Sequence, residues 1–156
     1  MSRIMKAMSL VTILALLLAL AVNLLSGKLS SEDQIRQTIE QVAEGAQNGD
    51  IVACMEPFSS NYEDPEGLEK KTIQGILWQH FRKRGPISVW LGPIDVTVDG
   101  SNATASFDVG LVEGDANSVV PWPMSADALS FQIDLTQEDD EWRIISHTRQ
   151  PIADPR

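Results

Sequence analysis

The sequence predicts an α+β domain: three helices packed on a curved antiparallel sheet of about four strands, following an N-terminal hydrophobic helix. Three observations carry the prediction. An almost unbroken apolar run fills residues 7–25. Between Ser31 and Arg84 apolar residues recur at helical spacing, and from Ile87 the period falls to 2 and holds to Thr148. Helices first and hairpin-connected antiparallel strands after is the α+β order, in which one curved sheet wraps around the helices.

The leader decides where the protein works. Arg3 and Lys6 precede the apolar run, in which Ser9, Thr12 and Asn23 are the polar residues. A helix of that length is about 28 Å long against a hydrocarbon core of roughly 30 Å. Both cations lie before it, which places the amino terminus in the cytoplasm and everything after Ser26 outside. Small residues suited to a leader cut are Ala19-Leu20-Ala21, inside the run, with Ser26 a weaker site. Residues 1–26 therefore read as a signal peptide or a single-span membrane anchor. As an anchor they make the chain a single-pass inner-membrane protein facing the periplasm. Cleaved, they leave a soluble periplasmic or secreted domain. That domain spans 27–150, and 151–156 reads as a loose tail.

The first helix opens at Ser31, where Gln34 completes capping-box spacing and Glu32 and Asp33 place negative charge at the positive end of the helix dipole. Its apolar stripe is Ile35, Ile39, Val42, Ala43 and Ala46, and Asn48-Gly49 supplies the left-handed stop. Asp50 caps a second, short helix that Pro57 prevents from running on. A turn-rich stretch from Phe58 to Gly67 leads into a third helix with Ile73, Ile76, Leu77, His80 and Phe81 on its apolar face, ended by Gly85-Pro86. Arg82-Lys83-Arg84 oppose its dipole in the last turn.

Ile87, Val89 and Leu91 then alternate with polar residues, Gly92-Pro93 interrupts, and Ile94, Val96 and Val98 resume, which reads as one long strand with a bend. After the Asp99-Gly100 turn, Ala103 to Leu111 form its hairpin partner. A loop holding Pro121-Trp122-Pro123 precedes a strand over Leu129 to Leu135, and Gln137 to Asp140 turn the chain into the last strand, Trp142 to Thr148. On that strand His147 alternates with Arg143, Ile145 and Arg149, a basic stripe on one face.

Composition narrows the partners. Residues 27–156 carry 10 Lys+Arg against 22 Asp+Glu, a formal net charge of −12. A surface so acidic repels the phosphates of nucleic acid and disfavours broad adhesion to anionic lipid, with Arg82-Lys83-Arg84, a helix-dipole cap or an anion-binding patch, as the exception. Cys54 is the single cysteine, so no internal disulfide forms, and its neighbours Ile51, Val52 and Met55 mark it as a small core hydrophobe. With two histidines, one cysteine and no HExxH spacing, no metal site is expected. No phosphate loop or nucleophile elbow is present either, and no cofactor is expected.

The opening helix with Ile35 to Ala46, the Asn48-Gly49-Asp50 break, the Phe58-Ser59-Ser60-Asn61-Tyr62 turn and the terminal Glu141-Trp142-Arg143-Ile144 together resemble the nuclear transport factor 2-like superfamily. That cone-shaped, cystatin-like fold is shared with ketosteroid isomerase-like proteins and SnoaL-like polyketide cyclases. The resemblance covers Glu32 to about Thr148 and implies a cavity between the helices and the concave face of the sheet, the default ligand site. None of the matching residues is a catalytic signature, and one scaffold hosts enzymes, carriers and interaction modules.

Within that frame the candidate ligand-binding residues are His80, Tyr62, Asp64, Trp90 and Trp122. His80 points inward with Phe81. Tyr62 and Asp64 sit in the turn at the pocket mouth, where Asp64 beside Pro65 also fits a loop cap. Trp90 could line the cavity, and Trp122 is held between two prolines as an exposed anchor. No catalytic residue is assigned. The leading expectation is a non-enzymatic, membrane-tethered or exported domain that binds a small apolar ligand or an envelope protein, with homodimerisation through the sheet face as a further use. The alternative is a small cofactor-free isomerase or hydrolase acting on an apolar substrate in the cavity.

Overall fold

The computed structural model describes residues 27, 29–113 and 128–152; the apolar run at 7–25, Trp122 and residues 153–156 lie outside them. Among the described residues no helix is long and apolar enough to cross a membrane. Ser31–Arg156 forms one compact unit.

Helix α1 (Ser31–Asn48) has Glu32 and Asp33 in its first turn and buries Ile35, Ile39, Ala43, Gly45 and Ala46. Its end is a Schellman stop: Gly49 takes φ 65°, its N–H donates to Ala46 O, and the Asp50 N–H donates to Gly45 O at 2.8 Å. Asp50 then caps helix α2 (Ile51–Met55) by accepting from the Ala53 N–H at 3.1 Å. Gly45 is where α1 and α2 touch. A Cβ there would fall 2.8 Å from Cys54 N and 2.9 Å from Cys54 Sγ, so no larger residue fits without displacement. Cys54 is buried at that contact, and burial, with Asp50 adding to it, pushes its thiol up to about 11.

Helix α3 (Lys70–Arg84) buries no residue fully. It lies against the fold through Ile73, Leu77 and Phe81, which pack with Ala46, Cys54 and Met55.

Five antiparallel strands form one sheet: β1 (Ile87–Leu91), β2 (Asp95–Asp99), β3 (Asn102–Glu113), β4 (Ala128–Glu138) and β5 (Glu141–Pro151). The order is β1-β3-β4-β5, and β2 continues β1 along the same edge of β3. The interrupted strand expected from sequence is thus two strands, and the Gly92 N–H between them still donates to Asp108 O at 2.8 Å. Asp139 and Asp140 both take positive φ in the two-residue turn joining β4 to β5, a conformation Asp tolerates better than most residues. Pairing on β4 runs through Pro151, and the Ile152 N–H donates to Ala128 O, so the chain stays paired past the expected boundary at 150.

The main core joins Ile35 and Ile39 of α1 to Ala103 and Ala105 of β3, Ile133 and Leu135 of β4, Trp142 and Ile144 of β5, and Tyr62. The segment after α2 is sewn to β5: Ser59 N–H donates to Ile144 O, Ile144 N–H to Pro57 O, and Glu63 N–H to Ile145 O. These bonds carry Tyr62 under the last strand.

Candidate functional site

One irregularity in β5 makes the site. Asp134 pairs with Ser146 but Leu135 pairs with Ile144, so Ile145 is an extra residue in the ladder. Each residue beyond the bulge changes sides. His147 therefore lies opposite Ile133 and Arg149 opposite Phe131, on the concave face with the core. The stripe that the alternation assigns to His147 with Arg143 and Ile145 is broken by this bulge. The physical reason is local: one inserted residue shifts the period-2 phase.

Beneath the strand, the turn after α2 presents Tyr62, which is 2% exposed, and its hydroxyl is hydrogen-bonded to His147 Nδ1. The two rings stack with centroids 6.0 Å apart. Phe131 stacks on the imidazole at 5.8 Å and on Phe107 at 5.9 Å, while Phe58 meets Tyr62 edge-on at 5.0 Å. Burial first, then the Asp64 carboxylate, pushes the Tyr62 phenol up to about 12. Burial also holds His147 below the usual histidine range, with Arg149 acting the same way and Asp64 and Glu66 opposing it. At neutral pH the phenol thus keeps its proton and the imidazole is neutral, with Nδ1 engaged by the phenol. With the phenol as the donor in that bond, the ring's own proton is on Nε2 and the imidazole is a donor there.

Asp64 is buried and its Oδ1 accepts the Glu66 N–H at 2.9 Å and the Leu68 N–H at 2.8 Å. The Asp64 backbone also exchanges bonds with Leu68 and Gly67. Its carboxylate closes the loop that leads into α3, as the sequence position beside Pro65 suggests.

Around these groups is a cavity of about 370 Å³. Leu68 of the loop and Ile73, Ile76 and Leu77 of α3 form its apolar wall, and Asp64, Glu66, His147 and Arg149 supply the polar groups. Of the candidates read from sequence, Asp64 lines this cavity and Tyr62 stands behind His147. His80 and Trp90 are not among its lining residues. His80 meets Phe81 edge-on at 6.2 Å, and its Nε2 is buried with no partner among the described residues. Trp90 is 57% exposed on β1. Trp122 lies outside the described residues. The sequence reading did not select His147 and Arg149; the Ile144-Ile145 doublet, two apolar residues in succession on an alternating strand, is the signal that could have revealed the bulge.

A second concavity, about 330 Å³, opens along the first half of α1 among Gln34, Gln41, Glu56, Trp142 and Arg143. There Arg143 bonds Glu56 at 3.0 Å and also pairs with Glu141. Hydrogen bonds from Gln41 and then Arg143 hold the Glu56 carboxyl below its ordinary value. This groove is mostly polar, and within it Arg143 neutralises Glu56 and Glu141. Among the described residues no group of three His, Cys, Asp or Glu side chains is placed to hold a metal ion.

The helices cupped by a bent antiparallel sheet define a cystatin-like, nuclear transport factor 2-like fold. Solved structures bear this out. A nuclear transport factor 2-like protein from Novosphingobium aromaticivorans superposes with TM-score 0.62 at 20% identity, covering 85% of this chain and 86% of its own. Bd1075 from Bdellovibrio bacteriovorus gives TM-score 0.64 at 14% identity over 77% of this chain, which spans 41% of that longer one. A Streptomyces avermitilis protein of the same fold, provisionally assigned as a dehydratase, gives TM-score 0.61 at 14% identity, covering 78% of this chain and 96% of its own. No family model matches the sequence and no curated protein matches it.

Proposed function

We propose that the domain binds a small amphipathic molecule in the 370 Å³ cavity, with its apolar body on Leu68, Ile73, Ile76 and Leu77 and an oxygen acceptor at His147 and Arg149. The observation that carries this is the Tyr62–His147 pair. The phenol occupies Nδ1, so the imidazole offers the cavity an N–H, and the Arg149 guanidinium beside it adds further donors. Two donors next to an apolar wall suit a carboxylate or carbonyl oxygen.

The apolar run at 7–25 and the cations before it support a tether in the cytoplasmic membrane with the domain outside. Protease accessibility of the domain in spheroplasts tests that placement.

Binding is tested on the full chain with phenylbutyrate and, as its cationic counterpart, phenylbutylamine. The acid is expected to shift the His147 ring resonances and raise the melting temperature, and the amine to do neither. Arg149→Gln is expected to weaken phenylbutyrate binding about tenfold, the loss of one charged hydrogen bond. Equal response to acid and amine, or no change in Arg149→Gln, overturns the reading.

A second reading keeps the cavity and adds chemistry, supported by the Glu66 carboxylate in the same lining. A neutral imidazole N–H polarises a carbonyl oxygen while a carboxylate takes a proton, the division of labour of a cofactor-free isomerase. It requires that Glu66→Gln abolish turnover of a bound ketone without weakening its binding.

A further inference from the structure

We infer that the outer face of α3 is a docking surface for an anionic phospholipid bilayer, an interaction separate from the ligand cavity. Residues 27–156 hold 10 Lys+Arg, and five of them fall on this one 15-residue helix, which contains no Asp or Glu; Lys70 and Arg84 lie on its inner arc, where Lys70 donates to Phe58 O, and Lys71, Arg82 and Lys83 lie on the outer side. In a domain of net charge −12 that is a strong segregation of charge.

Capping the helix dipole accounts for cations in the last turn. It does not account for Lys71 in the first, nor for the exposed Trp78 between them. The helical wheel separates two arcs. Ile73, Leu77 and Phe81 face the core, while Lys71, Gly75, Trp78 and Arg82 share the opposite face and Gln79 and Lys83 flank it. Trp78 is 51% exposed, and the Arg82 guanidinium lies 5.0 Å from its ring centroid. Lys71, Arg82 and Lys83 are exposed as well.

An exposed indole among lysines and arginines matches the chemistry of the lipid headgroup region, where the ring lies at the boundary and the cations meet phosphates. Each such cation strengthens attachment to an anionic surface by about a factor of five, and repulsion from more distant carboxylates is screened within about 8 Å. Residues 7–25, read from sequence as a membrane segment, end five residues before α1. A tethered chain meets the bilayer at high effective concentration, so a modest surface suffices.

The full chain is mixed with vesicles of phosphatidylcholine alone or with added phosphatidylglycerol, each with and without brominated acyl chains. Tryptophan emission is compared between the wild type and Trp78→Phe. Expected are phosphatidylglycerol-dependent quenching that Trp78→Phe removes and that rising salt suppresses. A Lys71→Gln/Arg82→Gln/Lys83→Gln variant is expected to lose the Trp78 quenching at phosphatidylglycerol contents that saturate the wild type, since three missing cations weaken the contact on the order of a hundredfold. Near-ultraviolet circular dichroism verifies that both variants keep the fold. Quenching that is equal in wild type and Trp78→Phe, or equal with and without phosphatidylglycerol, overturns the inference. So does a lipid-free particle of twice the chain mass in which Trp78 is already buried, which would assign the face to a second copy.

Discussion

Helices α1 and α3 each carry an apolar stripe at helical spacing and put it to opposite uses. α1 sinks Ile35 and Ile39 into the concave face of the sheet and closes its far end on Cys54 through Gly45. α3 buries nothing fully, leaves Ile76 and Trp78 half exposed, and spends its inner face on one wall of a cavity. An apolar stripe at helical spacing thus reports that a helix has a partner surface, but not whether that surface is a packed core or an open space. The difference locates function: the helix the core buries least is free to shape a ligand site and meet a second surface.

The comparison breaks first on stability. Ile35→Ala removes a side chain with no exposure from the centre of the core and is expected to cost about 2–5 kcal/mol by urea denaturation. A loss below about 1 kcal/mol would show that α1 does not hold the sheet. Gly45→Ala comes next. Its Cβ meets a backbone nitrogen rather than a flexible side chain, so α1 and α2 must separate, with an expected loss of about 1–3 kcal/mol. Gly75→Ala on α3, where a Cβ meets nothing within 4 Å, is the control and should stabilise slightly, by up to about 1 kcal/mol.

Tyr62→Phe sharpens the boundary between core and site. It keeps the buried ring and removes the proton donated to His147 Nδ1, for about 1–2 kcal/mol. Its diagnostic is histidine NMR rather than stability. Losing that donor frees the tautomer, so the His147 ring-nitrogen shifts should change, while burial and Arg149 continue to hold its titration below the ordinary histidine value. In the wild type the folded imidazole titrates below its unfolded value near 6.5, so the unfolded chain binds the proton more readily. Stability is therefore complete above about pH 6.5 and is lost as pH falls through the folded value. His147→Gln should flatten that acid limb; an unchanged limb would place the titrating group elsewhere.

The fold was legible where the physics is local. The Asn48-Gly49-Asp50 stop, the Asp50 cap and the alternation from Ala103 to Leu111 each depend on residues a few positions apart, and the structure contains each of them. The site was not legible, because its central pair is separated by 85 positions in sequence and meets through a bulge. The alternation of β5, read without the bulge, puts His147 on the wrong face. His80 shows the complementary failure. It shares a stripe with Ile73 and Leu77, yet that stripe is centred on Leu77, and Ile76 and His80, four residues apart, fall together on one margin of it, where spacing does not decide that Ile76 lines the cavity and His80 does not. Tyr62 and Asp64 were recognisable as turn residues, but what stands over Tyr62 follows from the hydrogen bonds that sew the turn to β5.

The smallest expected effect tests the contrast from the other side. Trp78 is the largest side chain on α3, and in a helix packed like α1 its removal would cost several kcal/mol. With half its surface in solvent and Arg82 as its described ring partner, Trp78→Ala should change stability by no more than about 0.5 kcal/mol, the scale of an exposed cation–π contact. Urea midpoints of the wild type and variant, measured with unchanged m-values, would agree to that extent. A loss above about 2 kcal/mol would mean that the indole is structural, and that the outer face of α3 is sealed against something rather than left open.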